Sequence, residues 1–359
     1  MAERRAGAAS RPEQLESRAT FSAIAVFVAT GVATAIVFSG RHVPLAGPGS
    51  IGAFAAWCAA GFGAVAFAAS FIVEMRRGHA AWRLVLPVIK RVIDIVAMSL
   101  GMAMLGYLLV TAIAHMFQLG FRGMVVDAYG GGLLAGAAAA ALAYIASLAG
   151  ARVTTEGLAG LAVLVLFSGT MASMLVSADE TWWQFHFSQL GNTTGATANR
   201  FNFALIIAGL VITALANYLG HDIEQGMRRR GREPERVVRL LSWLFAVIGL
   251  LMAVVGLVPD AVNFTVHVGA ASGMVVVFAV FVGVMLRRVP GVPRDFIVFT
   301  GLVVVGIAVA IVLWIPIGYF NLTGMEFMSA GLLFAWLMVL VRMTRAYAAG
   351  GAEPDAPQA

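Results

Sequence analysis

Long apolar runs alternate with short polar joints along this chain. Ten runs recur, at about 21–40, 51–73, 92–115, 129–150, 157–177, 201–220, 238–257, 264–286, 296–316 and 325–343. Each is continuously apolar rather than alternating, which predicts helices and not barrel strands. Each is also long enough to cross a hydrocarbon core of ~30 Å. The polar, Arg- and Glu-rich residues 1–20 and the Gly/Ala/Pro/Glu tail 350–359 are expected to be disordered. The first run lacks a cleavage signal and reads as a retained span.

The joints fix the orientation. With the N-terminus in the cytoplasm, 21 of the 24 Lys and Arg residues fall on the inner side, and only Arg41, Arg122 and Arg200 lie outside. Basic residues resist translocation, and one missed span would invert every later joint and erase that bias. The expected fold class is therefore an all-α integral membrane protein of about ten transmembrane helices with both termini cytoplasmic. The expected location is a bacterial plasma (inner) membrane.

Composition agrees: 60% of residues are hydrophobic and 12% charged, where a soluble domain carries about 25% charged residues. A net charge of +6 could suggest nucleic acid, but topology already accounts for the basic joints, so no nucleic-acid partner is expected. The densest run, RRRGREPER at 228–236, reads as a topological anchor, with anionic headgroups as an alternative contact.

The joint MRRGHAAWRLVLPVIKRV mixes basic residues, Trp82 and leucines, as a short interfacial helix would, and Pro87 should break it before the third span. Small residues crowd GGGLLAGAAAAALA (130–143) and GFGAVAFAAS (61–70), predicting close helix–helix faces. The alternative reading is that these residues line a passage. A homo-oligomer or a membrane-protein partner is left open. HMFQLG (115–120) and HFSQLG (186–191) share four of six positions, each following an odd-numbered span on the outer side. The placement hints at a parallel repeat; interfacial composition explains it equally well.

Charged groups within the spans are few. Asp94 lies near Lys90 and Arg91, and Glu74 beside Arg76 and Arg77, both at the inner edge, which leaves a carboxylate relay unsupported. The outer side is richer. Asp179, Glu180, His186, Asp260, His267 and Glu326 gather there with Ser188, Gln189, Asn192, Asn202, Asn263, Asn321 and Thr323, rimmed by Trp182, Trp183, Phe185, Phe187, Tyr319 and Phe320. His267 and Glu326 each lie about one turn inside an apolar run, where a polar side chain needs a partner, so the two are expected to meet. Neither HExxH nor CxxC occurs, nor a Walker, GxSxG or Rossmann pattern, so no metal or cofactor is expected. Cys58 lies in an apolar run and reads as a small buried hydrophobe.

Three stretches carry a resemblance: FHFSQLGN…RFNFALIIAGL (185–210), GLVPDAVNFTVHVGAASGMVVVF (256–278) and GMEFMSAGLLFAWLMVL (324–340). Together they resemble a bacterial family of six-span membrane proteins, itself without an assigned activity, that is similar to the DRAM-like proteins of eukaryotes. Carried across by position, the pattern falls on Ser188, Leu190, Gly191, Asn202, Gly256, Pro259, His267, Gly324 and Glu326. The resemblance covers about 157–344 and implies a six-helix bundle with an outward-facing polar cluster and a role tied to membrane lipid. The four spans in 21–150 lie outside it.

WWQFHFSQLGN (182–192) is then expected to fold over the mouth of that bundle, its tryptophans at headgroup depth and Gly191 making the tight return into the sixth span. The expected ligand-binding residues are His186, Ser188, Gln189, Asn202, Asp260, His267 and Glu326, with membrane lipid as partner. The leading reading is lipid binding or sensing without chemistry. The alternatives are transport of a small or amphipathic solute, and a membrane-embedded lipid or glycolipid transferase using His186 or His267 as base.

Overall fold

The computed structural model describes residues 10–78, 82–192 and 195–350. Among these residues ten helices are long and apolar enough to span a membrane, so the chain is an all-α multi-pass membrane protein. It divides into two compact units, Met1–Val153 and Thr154–Ala359.

The first unit contains α1 (Arg11–Val37), β1 (Val43–Pro44), α2 (Ile51–Arg76), α3 (Trp82–Val85), α4 (Val88–Gly120), β2 (Val125–Val126) and α5 (Ala128–Ala151). α5 packs against α1 and α2, and α4 packs against α2. The small-residue runs are contact faces: a Cβ on Gly132 would lie 2.8 Å from the Gly31 carbonyl of α1, and one on Gly63 would lie 3.0 Å from Leu142 of α5. On the outer side β1 pairs antiparallel with β2, and Gln118 Oε1 accepts from the Leu45 and Ala46 amides at 2.7 and 3.2 Å.

Residues 11–20, expected to be disordered, are helical. Their charges have partners that the local sequence does not reveal. Arg11 and Arg18 reach the buried Glu74 of α2 at 3.4 and 3.3 Å, with Arg77 at 3.9 Å, and the Ser10 amide donates to Glu13 at 2.7 Å. Residues 1–9 and 351–359 lie outside the described residues. The expected interfacial helix reduces to the four-residue α3, with 79–81 also outside the described residues, and Pro87 caps α4.

The second unit contains α6 (Thr155–Leu175), a 3-10 turn (Trp182–Gln184), α7 (Gln189–Asn192), α8 (Ala196–Arg229), α9 (Glu235–Leu257), α10 (Asp260–Arg288), α11 (Arg294–Trp314) and α12 (Leu322–Ala349). α8 touches α6, α9 and α12; α10 lies on α9, and α11 on α12. An aromatic cluster joins these helices: Phe278, Phe281 and Phe296 contact Trp336, Phe245 packs on Phe281, and the Trp336 indole N–H donates to Thr300 at 3.0 Å.

The two hexapeptides differ in conformation. HMFQLG is the last turn and a half of α4, whereas HFSQLG is a turn leading into α7. The second departs from helix because Trp182 and Leu190 fold back on Phe201 as a local core.

α8 and α9 meet backbone to backbone. A Cβ on Gly249 would lie 2.5 Å from the Gly209 carbonyl and 2.7 Å from the Thr213 amide, while Gly301 has open space. Gly249→Ala should therefore destabilise the protein by about 1–3 kcal/mol through overpacking, read as a lower melting temperature. Gly301→Ala should be neutral or slightly stabilising, by up to ~1 kcal/mol of helix propensity.

Candidate functional site

Between α6 and α8, among the described residues, the chain leaves the long helices for a loop that holds only the 3-10 turn and the four-residue α7, at the outer end of the second unit. Non-helical backbone near hydrocarbon must find hydrogen-bond partners in the protein. The segment supplies some itself. Asp179 Oδ1 accepts from the Thr181 amide at 2.8 Å and hydroxyl at 2.7 Å, bonds that hold its carboxyl below the usual carboxylate range. The Gln189, Leu190 and Gly191 amides close turns onto the His186, Phe187 and Ser188 carbonyls. Below them Ser173 and Thr197 tie α6 to α8.

The remaining groups are taken by side chains from three spans. Glu326, in the first turn or so of α12, accepts from the Phe187 amide at 2.8 Å. His267 of α10 meets the Ser188 hydroxyl through Nε2 at 2.8 Å and the Val258 carbonyl through Nδ1 at 2.8 Å. A carbonyl only accepts, so Nδ1 carries the proton, and in the neutral ring Nε2 accepts from Ser188. His186 Nε2 lies 3.3 Å from Asp260. Asn202 of α8 donates to the Gly191 carbonyl at 3.1 Å, and Asn321 donates to the Trp183 carbonyl at 2.7 Å while capping α12.

Local sequence explains how these side chains arrive. α10 begins after Pro259 and breaks at Asn263, whose extended backbone (φ −154°, ψ 96°) interrupts the helix. Asn263 Oδ1 then caps the Val266 amide at 3.1 Å and restarts the helix, with His267 in its first turn. His267 is 6% exposed, packed beneath the loop.

His267 and Glu326 do not bond directly. They hold consecutive residues, Ser188 and Phe187, so the loop runs between them and Glu326 stays within electrostatic range of His186, His267 and Asp260. Gln189 turns within the loop, accepting from Asn192 at 3.3 Å, and does not reach the spans' charged groups in any bond described. Trp182 is buried with Leu190 and Phe201, while Trp183 is exposed. One further expectation changes. Gly191 lies inside α7, and its lack of a side chain serves closeness: a Cβ there would meet Asn202 Oδ1 at 2.4 Å. The tight return falls to Gly195, whose φ is +83°.

The main-chain partners of this clamp, the Phe187 amide and the Val258 and Trp183 carbonyls, carry no side-chain signature. The break at Asn263 had one, since Pro259 followed by an Asn four residues on marks a helix restart. Comparison with protein-family models, with curated proteins and with solved structures finds no match to this chain.

Because Glu326 and His267 hold adjacent residues, their losses should overlap. Each Ala substitution should cost about 1–3 kcal/mol by stranding a buried partner. The double variant should be milder than the sum by ~0.5 kcal/mol or more, measured by thermal unfolding in lipid nanodiscs.

Proposed function

We propose that the protein binds a membrane lipid with a donor-rich headgroup, an amine or a polyol, at the clamped outer loop. The observation that carries this reading is a polar cluster with aromatics around it. The His186–Asp260 pair is partly exposed, with side chains 27% and 11% open, and it adjoins a loop that presents Trp183 and Phe185 outward. Asp179, Glu180, Asp260 and Glu326 outnumber His186 and His267 on these elements, which favours a headgroup bearing donors over an anionic one. Thr323 adds a buried hydroxyl without a hydrogen-bond partner, one turn from Glu326 on the same face of α12. Exposed Phe264 and Phe327 suit acyl-chain contact. The location we propose is a bacterial plasma membrane, with the outer loop facing away from the cytoplasm. The likeness to DRAM-like proteins is part of this proposal and points the same way.

One observation favours a second reading, acyl transfer. Ser188 Oγ lies 2.8 Å from a histidine nitrogen whose ring is oriented by a carbonyl, a nucleophile–base geometry. In that reaction Ser188 Oγ would bond to an ester carbonyl carbon while its proton passed to His267 Nε2. The departing alcohol would take that proton, and water would then release the acyl group. Labelling of Ser188 by a fluorophosphonate would establish it. Transport has less support, because direct contacts join these helices: Trp336 of α12 meets Phe281 of α10, and Gly209 of α8 meets Gly249 of α9.

Native mass spectrometry should detect lipid co-purifying with the protein, and His186→Ala with Asp260→Asn should reduce its occupancy. Delipidated protein with an unchanged melting temperature, or equal occupancy in the double variant, would count against lipid binding at this site.

A further inference from the structure

The arginine run at the opposite, cytoplasmic end of the second unit divides into two sets. Arg228 pairs with Glu224 at 2.6 Å, Arg229 donates to the Ala349 carbonyl at 3.0 Å, and Arg230 donates to the Gly226 and Tyr347 carbonyls at 2.8 and 3.1 Å. The Arg230 guanidinium also lies 3.9 Å from the Tyr347 ring centroid. These three fasten the end of α12 and the last turn of α8. The side chains of Arg232, Arg236 and Arg239 make no hydrogen bond or ion pair among the described residues.

Two of the unpaired arginines share an open face with apolar side chains. Arg236, Arg239, Leu240 and Trp243 are spaced three, four and seven residues apart, which puts them on one face of α9. Leu240 and Trp243 are 47% and 57% exposed. Beside it, at the start of α9, Arg228, Arg232 and Arg236 lie with Glu233 and Glu235. Arg236 and Arg239 make the α9 face itself positive, and the partial positive charge of the α9 N-terminus adds to it.

We propose that this face holds an anionic phospholipid of the cytoplasmic leaflet, its phosphate between Arg236 and Arg239 and an acyl chain along Leu240 and Trp243. Depth fits that occupant. Trp243 lies four residues beyond Arg239, ~6 Å deeper at ~1.5 Å per residue, which sets guanidinium and indole at phosphate and glycerol levels respectively. A soluble phosphate would use the cations and leave the apolar floor unused. A zwitterionic lipid would bring a cation to two unpaired guanidiniums. A purely topological role needs the charge but no exposed indole on the same face. This site shares no residue with the outer loop, so either proposal can fail without the other.

The test uses the full-length protein in nanodiscs with phosphatidylglycerol or phosphatidylcholine, read by native mass spectrometry. Phosphatidylglycerol should be retained preferentially, and Arg236→Gln with Arg239→Gln should weaken it about tenfold or more, at ~1 kcal/mol per arginine near the surface. Arg287→Gln with Arg288→Gln removes the same charge at the inner end of α10 and should change affinity less than about twofold. Equal loss in both double variants, no loss in either, or equal competition by glycerol phosphate would overturn the proposal. A readout that leaves the arginines intact guards against misfolding. Brominated phosphatidylglycerol should quench wild-type tryptophan fluorescence more than brominated phosphatidylcholine, and Trp243→Phe should abolish the excess. An excess unchanged by that substitution contradicts the site.

Discussion

Hydrocarbon offers no hydrogen bonds, so a stretch of chain that leaves the helix at a membrane edge must be satisfied by the protein around it. The loop between α6 and α8 is such a stretch. Its turns satisfy the amides of residues 189–191, and side chains from α8, α10 and α12 take what the turns leave. The carboxylate of Glu326 on the Phe187 amide is the key contact, a charge-assisted bond of the stronger kind. The break in α10 at Asn263 and the cap at Asn321 follow from the same need, since both bring polar groups to the level of the loop.

The spans were legible because their signal is continuous apolarity together with the distribution of arginine. The site was legible only as a set of polar residues at the wrong depth for lipid. His267 and Glu326 stand out because each interrupts an apolar run, yet depth says nothing of direction. Glu326 turns to the Phe187 amide and His267 to the Val258 carbonyl as well as to the Ser188 hydroxyl; backbone groups are the same at every residue, so no pattern of side chains announces the first two contacts. Residues 11–20 went the other way. Arg11 and Arg18 look solvated because Glu74, their partner, lies more than fifty residues along the chain.

Glycine carries the packing that apolarity does not describe. Gly209 and Gly249 let α8 and α9 approach closely enough that a single added methyl would meet main-chain atoms. α8 is consequently the most enclosed of the spans, and the outer loop and the arginine face sit at opposite ends of this frame. Arginine likewise has two uses within one run: Arg229 and Arg230 complete the end of α12, while Arg236 and Arg239 lie beside the exposed Leu240 and Trp243.

The central claim is that the outer loop is seated on the helix bundle by Glu326 and His267. Hydrogen–deuterium exchange across residues 182–192 in nanodiscs addresses it directly. The account predicts slow exchange of the Phe187, Leu190 and Gly191 amides in the wild-type protein, with the Phe187 amide selectively released in Glu326→Gln. Exchange of the whole segment at the rate of an unstructured loop, or no selective change at Phe187 in that variant, would contradict it.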